Sequence, residues 1–230
     1  MTQETLGLAG SPPLVFYGLD KAPQDAGRFD HLPRVPLLPG EALRLNAEAF
    51  DLPAPAIGQD IAPGPRLAGH LKHLSGNWSR LGGLFIDGYF AHLQGLIAAH
   101  RAEIAARWAA MAGLFAPEDV LYSAPLPLPR ALLPLPAEGG GIDHVPVDMF
   151  FWLGAGHAKA VLFAPSPLLP AAERRRRERL AAAGLEVRVL AAADLARPGA
   201  FADLLGERGN GFWRDEVLPA APGAPRLPEF

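Results

Sequence analysis

The sequence predicts an α/β fold in which a small mixed sheet is flanked by helices and carries long proline-rich arms. Residues 145–190 read as two strands, an arginine-rich helix and a further strand. Residues 80–115 contain no proline and carry apolar residues at helical spacing. Ten of the 25 prolines fall in residues 1–75. These three observations predict a compact α/β centre with extended segments around it.

The first 75 residues are predicted to be an extended arm, because proline removes a backbone donor and restricts the residue before it. The arm is too apolar for a solvated linker, since eight large side chains need something to pack on: Leu14, Val15, Phe16, Tyr17, Phe29, Leu37, Leu38 and Phe50. Two interpretations stay open. The arm packs on its own domain, or it wraps a partner, in which case we expect Phe16 and Tyr17 to be contacts.

The core domain is predicted to span 76–206. Gly88 and Gly95 interrupt the helical pattern of its first segment, which predicts one kinked helix or two joined ones, most regular over 99–113. Six prolines in 117–136 are typical of an edge strand or a polyproline stretch.

The rest of the core is predicted to hold strands at 145–154 and 159–166, a helix at 171–184, a strand at 185–190 and a short helix at 194–206. Residues 207–230 are predicted to form a C-terminal tail, anchored by Phe212 and Trp213.

Composition excludes several classes of function. The formal charge is −3, which gives no general support for a dedicated nucleic-acid binder. The absence of cysteine excludes disulfides, thiolate metal sites and cysteine nucleophiles. The pair His70 and His73 lacks a third zinc ligand. Neither a signal peptide nor a membrane span is predicted, so we expect a cytoplasmic protein, and the Ala/Leu/Pro/Arg/Gly bias resembles that of bacteria with GC-rich genomes.

The order helix, strand, strand with an acid, strand, basic helix, strand resembles the very-short-patch-repair endonuclease-like members of the PD-(D/E)XK superfamily. The resemblance covers roughly 80–206, about half of the chain. It implies a restriction-endonuclease-like core with Asp148 as the first catalytic acid. The second acid of the family pattern falls at Leu162–Phe163 and the lysine at Ala164–Pro165, and neither position can hold Mg²⁺ or polarise water.

Two residues outside the family's usual positions could restore the chemistry. Glu173, on the arginine-rich helix, could supply a displaced acid, and Lys159 stands at the start of the third strand. An active site then requires Asp148 and Glu173 to converge with Lys159 or an arginine. Asp143 is either another carboxylate of this site or a turn residue, and the turn is the favoured interpretation.

The helix at 171–184 carries five arginines, which are Arg174, Arg175, Arg176, Arg177 and Arg179. Four consecutive arginines cover every side of a helix, so they cannot all face one ligand. They either form a solvated face with local ion pairs or bind phosphate or an acidic partner, because guanidinium binds both groups bidentately.

The sequence thus predicts a non-catalytic accessory subunit, without a metal or cofactor, that binds a partner protein through its apolar arms and the arginine-rich helix. One alternative is a Mg²⁺-dependent nuclease with a displaced acid. Another is a pseudo-nuclease that binds nucleic acid through Arg174–Arg179, with steep salt dependence.

Overall fold

The computed structural model describes residues 14–18, 32–38, 41–46, 62–75, 80–111, 113–137, 139–154, 157–165 and 169–214. Within them lies one mixed six-stranded sheet, in the order β2-β1-β3-β4-β5-β6. Its strands are β1 (Leu14–Phe16), β2 (Arg34–Pro36), β3 (Leu128–Pro136), β4 (Ile142–Trp152), β5 (Ala158–Phe163) and β6 (Glu186–Leu190). Neighbours are antiparallel except β5 and β6, which are parallel. The predicted α/β class, with a mixed sheet flanked by helices, is confirmed.

Helices lie on both sides of this sheet. They are α1 (Pro63–Leu74), α2 (Arg80–Ala99), α3 (Arg101–Arg107), α4 (Pro170–Ala182), α5 (Ala192–Leu195) and α6 (Ala200–Asn210), with 3-10 turns at Ala109–Met111, Pro117–Ser123 and Phe212–Arg214. Helix α2 packs against α1 and α6. Its Phe85 contacts Phe151 of β4 and Phe163 of β5, which defines the first face of the sheet. No helix in the described ranges has the length and apolar character of a membrane span.

The break between the first long helices falls at a different residue from the one predicted. Helix α2 runs through both Gly88 and Gly95 and ends at Ala99, and α3 begins at Arg101 after His100. The regular helix expected over 99–113 is shorter, because α3 ends at Arg107 and a 3-10 turn follows.

Two of the six strands come from the segment predicted to be an arm. Val15 pairs with Val35 of β2, and Phe16 pairs with Leu132 of β3. Val15 and Tyr17 are buried. Strands β1 and β2 therefore join the protein's own sheet, and α1, from the same segment, packs on α2, as in the first of its two interpretations. Phe29 and Phe50 lie outside the described residues.

The proline-rich strand β3 lies inside the sheet. It pairs with β4 from Leu128 to Pro136, whereas β1 meets it at Leu132, and the backbone N–H of Gly18 donates to Pro129. A strand whose second edge makes few backbone bonds tolerates prolines, because few donors are required there.

The unit β5-α4-β6 forms the end of the sheet opposite β2. Parallel neighbours need a crossover connection, and α4 supplies it. Beyond β6, Phe212 and Trp213 are buried; the remainder of the predicted tail, 215–230, lies outside the described residues.

Candidate functional site

One arginine of α4 faces the sheet, and the others are more exposed to solvent. Leu180 and Ala183 are buried and define the side of α4 that meets the sheet. Glu173 and Arg176 lie on the same side by helical spacing, and their side chains are only 13% and 11% exposed. The other members, Arg174, Arg175, Arg177 and Arg179, are exposed or half-buried.

A cluster of charged side chains lies between α4 and the sheet. Arg176 Nη2 lies 2.7 Å from Glu173 Oε2, an ion pair without the alignment of a hydrogen bond. Asp148, on β4, accepts a hydrogen bond of 2.8 Å from the backbone N–H of Phe163. Burial raises the pKa of the Asp148 carboxyl, with the charge of Glu173 acting in the same direction, while the Phe163 hydrogen bond and the charges of Arg176 and Arg130 oppose the rise.

Arg130 is a member of this cluster that sequence reasoning missed. The register of β3 and β4 places it opposite Asp148, between the pairs Pro129↔Met149 and Ala131↔Val147. Its φ of 48° is in the left-handed region, which costs a non-glycine residue energy and is concentrated at functional sites. The signal in the sequence is an arginine within an otherwise apolar strand, 128–136.

The structure brings Asp148 and Glu173 together with Arg176, but it places Lys159 elsewhere. Side chains directly opposite in paired strands share a face, and successive residues alternate. Lys159 pairs with Phe151, so it lies on the first face, whereas Asp148, three residues before Phe151, lies on the second. Lys159 Nζ makes an ion pair of 2.9 Å with Glu186 on that first face.

The residues around Asp148 do not fit Mg²⁺ well. The ion prefers oxygen ligands in an octahedral shell that usually includes several waters. Here the guanidinium of Arg176 pairs with Glu173 and acts on Asp148, so a fixed cation already supplies positive charge to both carboxylates. In the described ranges, no three His, Cys, Asp or Glu side chains form a group able to hold a metal.

A groove runs beside this cluster, between α4 and the first half of β4. Its volume is about 450 Å³, and it is lined by Asp143, His144, Val145, Pro146, Ala172, Arg175, Arg176 and Arg179. Arg179 Nη1 donates to Asp143 Oδ2 at 2.6 Å, and this hydrogen bond lowers the pKa of Asp143. Asp143 lies in β4 and pairs with an arginine, so it is not the turn residue that the sequence favoured.

Arg175 is the groove arginine with the most freedom to bind a ligand. Among the described residues, no acidic side chain lies within ion-pair distance of it. Arg174 lies 3.9 Å from Glu178, and both side chains are about two-thirds exposed or more, so this pair is weak. Arg177 lies 4.0 Å from Glu173.

Aromatic rings border the groove on the sheet side. Phe16 pairs with Leu132, which pairs with Pro146, so Phe16 lies on the second face with Pro146, His144 and Asp148. The rings of Phe16 and His144 meet edge to face, with centroids 5.8 Å apart. Burial lowers the pKa of His144. Tyr17, the other aromatic residue predicted to bind a partner, is 2% exposed and points away from this face.

Comparisons with protein-family models, with curated proteins and with solved structures find no match to this chain.

Proposed function

We propose that this protein binds nucleic acid through its phosphate groups, along the groove between α4 and β4, and that it does not cut the strand. The observation that carries the proposal is the convergence of Arg175, Arg176 and Arg179 on one groove of about 450 Å³. Arginine's planar fork suits phosphate, and phosphate contacts dominate the affinity of proteins for nucleic acids.

The distribution of charge favours phosphate binding at this groove over most of the remaining surface. The whole chain carries −3, but α4 carries five arginines and two glutamates. Away from α4, the net charge repels a polyanion rather than attracting it. Loss of a single groove arginine should therefore lower the affinity for nucleic acid strongly.

The buried cluster supports binding without cleavage. A restriction-endonuclease-like core would need a metal ion between its carboxylates, and here Arg176 supplies positive charge to Asp148 and Glu173. Lys159, which would assist the water, lies on the other face of the sheet. The resemblance to the PD-(D/E)XK superfamily then implies a binding fold that has replaced its metal with an arginine.

The accessory-subunit hypothesis rests on α4 more than on the arm. Strands β1 and β2 pair within the protein's own sheet, so this part of the arm is not extended away from the domain. The exposed arginines would also suit an acidic protein. Isolation of such a protein at stoichiometric yield, with no affinity for oligonucleotides, would favour that hypothesis.

The first test measures fluorescence anisotropy of labelled single-stranded and duplex oligonucleotides across a salt series. We expect affinity to fall steeply with salt. Arg175→Gln should lower affinity about fivefold at about 0.1 M salt, because one lost phosphate contact removes about 0.7–0.9 from the logarithmic slope. Arg197→Gln is the matched control, since Arg197 pairs with Asp203 on the exposed surface away from the groove.

Two outcomes would overturn the proposal. One is the absence of binding to any oligonucleotide at low salt. The other is cleavage that depends on Mg²⁺ and disappears in Asp148→Ala, which would establish the nuclease alternative instead.

A further inference from the structure

We infer that the groove receives a single strand rather than a duplex, and that a base of this strand stacks on the rings of His144 and Phe16. The inference rests on the proposed function and names its class of substrate. It comes from the place of two aromatic rings on the second face of the sheet, beside the arginines of α4.

The size of the groove favours one nucleotide at a time. Pockets of about 300–1,000 Å³ take one small ligand. At about 450 Å³ the groove matches one base with its sugar and phosphate better than an intact base pair. A base can reach the floor of the groove only if it is unpaired.

The floor offers rings that a base can stack on. His144 lines the groove, and Phe16 contacts its ring at 5.8 Å between centroids. Both residues are half-buried, so each is held in place by the sheet and remains partly exposed. Stacking on aromatic rings is the usual source of affinity for unpaired bases, and it tolerates any sequence.

Cations stand on both sides of these rings. Arg175 and Arg179 lie on α4, on one side of His144. On the other side, Arg34 of β2 is the cross-strand partner of Phe16, so it lies on the same face, and it is exposed. Among the described residues, no acidic side chain is paired with Arg34. A strand lying from α4 towards β2 would place phosphates near arginines at both ends and a base over the rings.

The test compares labelled 12-nucleotide single strands of DNA and RNA with a duplex of the same sequence. We expect the single strands to bind at least about tenfold more tightly than the duplex. His144→Ala and Phe16→Ala should each weaken single-strand binding about fivefold or more, because loss of one stacked base costs at least about that factor. His144→Phe should retain or improve binding, since it keeps a ring.

Folding and electrostatics are separated by controls. Leu14→Ala removes apolar bulk from the same face of β1, two residues from Phe16, without removing a ring, and should bind as the wild type does. The aromatic variants should lower affinity at every salt concentration without changing the salt slope, whereas Arg34→Gln should reduce the slope by about 0.7. Thermal unfolding confirms that each variant is folded.

Failure of this inference is distinguishable from failure of the proposed function. Equal affinity for duplex and single strand, with His144→Ala and Phe16→Ala unchanged, would overturn the inference and leave phosphate binding intact. Binding to neither would overturn both.

Discussion

Asp148 is a half-buried carboxyl group whose surroundings act in opposite directions. Burial and Glu173 favour its protonated form, while the Phe163 N–H, Arg176 and Arg130 favour its ionised form. Burial is the largest of these effects, so the pKa lies above the ordinary value of 3.8. The neighbouring cations Arg176 and Arg130 do not fully offset the cost of burying the Asp148 carboxylate. This is expected for a buried charge whose contacts to cations are not ideally aligned.

This balance predicts how stability depends on pH. Because the folded state raises the pKa of Asp148, it holds that proton more tightly than the unfolded state does. The stabilisation is present at low pH and is lost as pH rises through the raised pKa. We therefore expect the free energy of unfolding of the wild type, minus that of Asp148→Asn, to fall as pH rises from below the ordinary pKa of 3.8 through the raised pKa of the folded state.

Asp143 is the control, because its effect on stability should change with pH in the opposite direction. Arg179 lowers the pKa of Asp143, so its contribution is present at neutral pH and is lost as pH falls. The same difference for Asp143→Asn should rise with pH, and should be small because the side chain is half exposed. Denaturant titrations at several pH values measure both differences. Slopes of the same sign would contradict the assignment of Asp148 as a carboxyl dominated by burial.

At the level of elements, the crossing of α2 and α6 depends on a glycine. A Cβ built on Gly88 would lie 2.6 Å from Cε2 of Phe201. The Phe201 ring cannot move aside easily, because it packs against Phe85, Tyr89 and His92. Gly88 therefore sets how closely the two helices approach.

A pair of glycine substitutions in α2 tests this packing. Gly88→Ala should lower the free energy of unfolding by about 1–3 kcal/mol, since the strain of overpacking exceeds the gain in helix propensity. Gly83→Ala, in the same helix, has nothing within 4 Å of its new Cβ and should be stabilising by about 0.8–1 kcal/mol. Urea denaturation measures both. A stabilising Gly88→Ala would show that the helices are further apart than described.

Among the helices and strands, some could be predicted from the sequence and others could not. The pattern of apolar residues and the arginine run predict strands β4 and β5, helix α4 and strand β6 where the structure has them. Apolar strands and a proline in the first turn of a helix give strong local signals. The end of α3 falls earlier than predicted, because alanine-rich sequence favours helix whereas a 3-10 turn follows Trp108.

The candidate site was less predictable than the elements. Asp148 and the arginines of α4 could be named from the sequence, but Arg130, His144 and Arg34 enter the site only through strand register. The separation of Lys159 from Asp148 likewise follows from register, because Phe151, the β4 partner of Lys159, stands three positions after Asp148 and an odd separation places the two on opposite faces. Pairing of strands distant in sequence has no local signal.

For the molecule as a whole, the described N-terminal residues are part of the fold and not an appendage. Val15 is fully buried, and its neighbours Val35 and Tyr17 are buried with it. Strand β1 also places Phe16 beside His144, so the segment that we propose contacts a base belongs to the same sheet as Asp148. Folding and binding should therefore depend together on β1.

Two adjacent substitutions in β1 decide whether it belongs to the cooperative unit. Val15→Asp loses the burial of a valine and places a carboxylate where the side chain is 0% exposed, so unfolding should become easier by about 3 kcal/mol or more. Leu14→Asp changes the neighbouring side chain, which is 38% exposed, and should cost about 1 kcal/mol or less. Denaturant unfolding monitored by tryptophan fluorescence compares them. If both variants unfold as the wild type does, β1 is not part of the cooperative fold, and an N-terminal arm that docks on a partner becomes the better description.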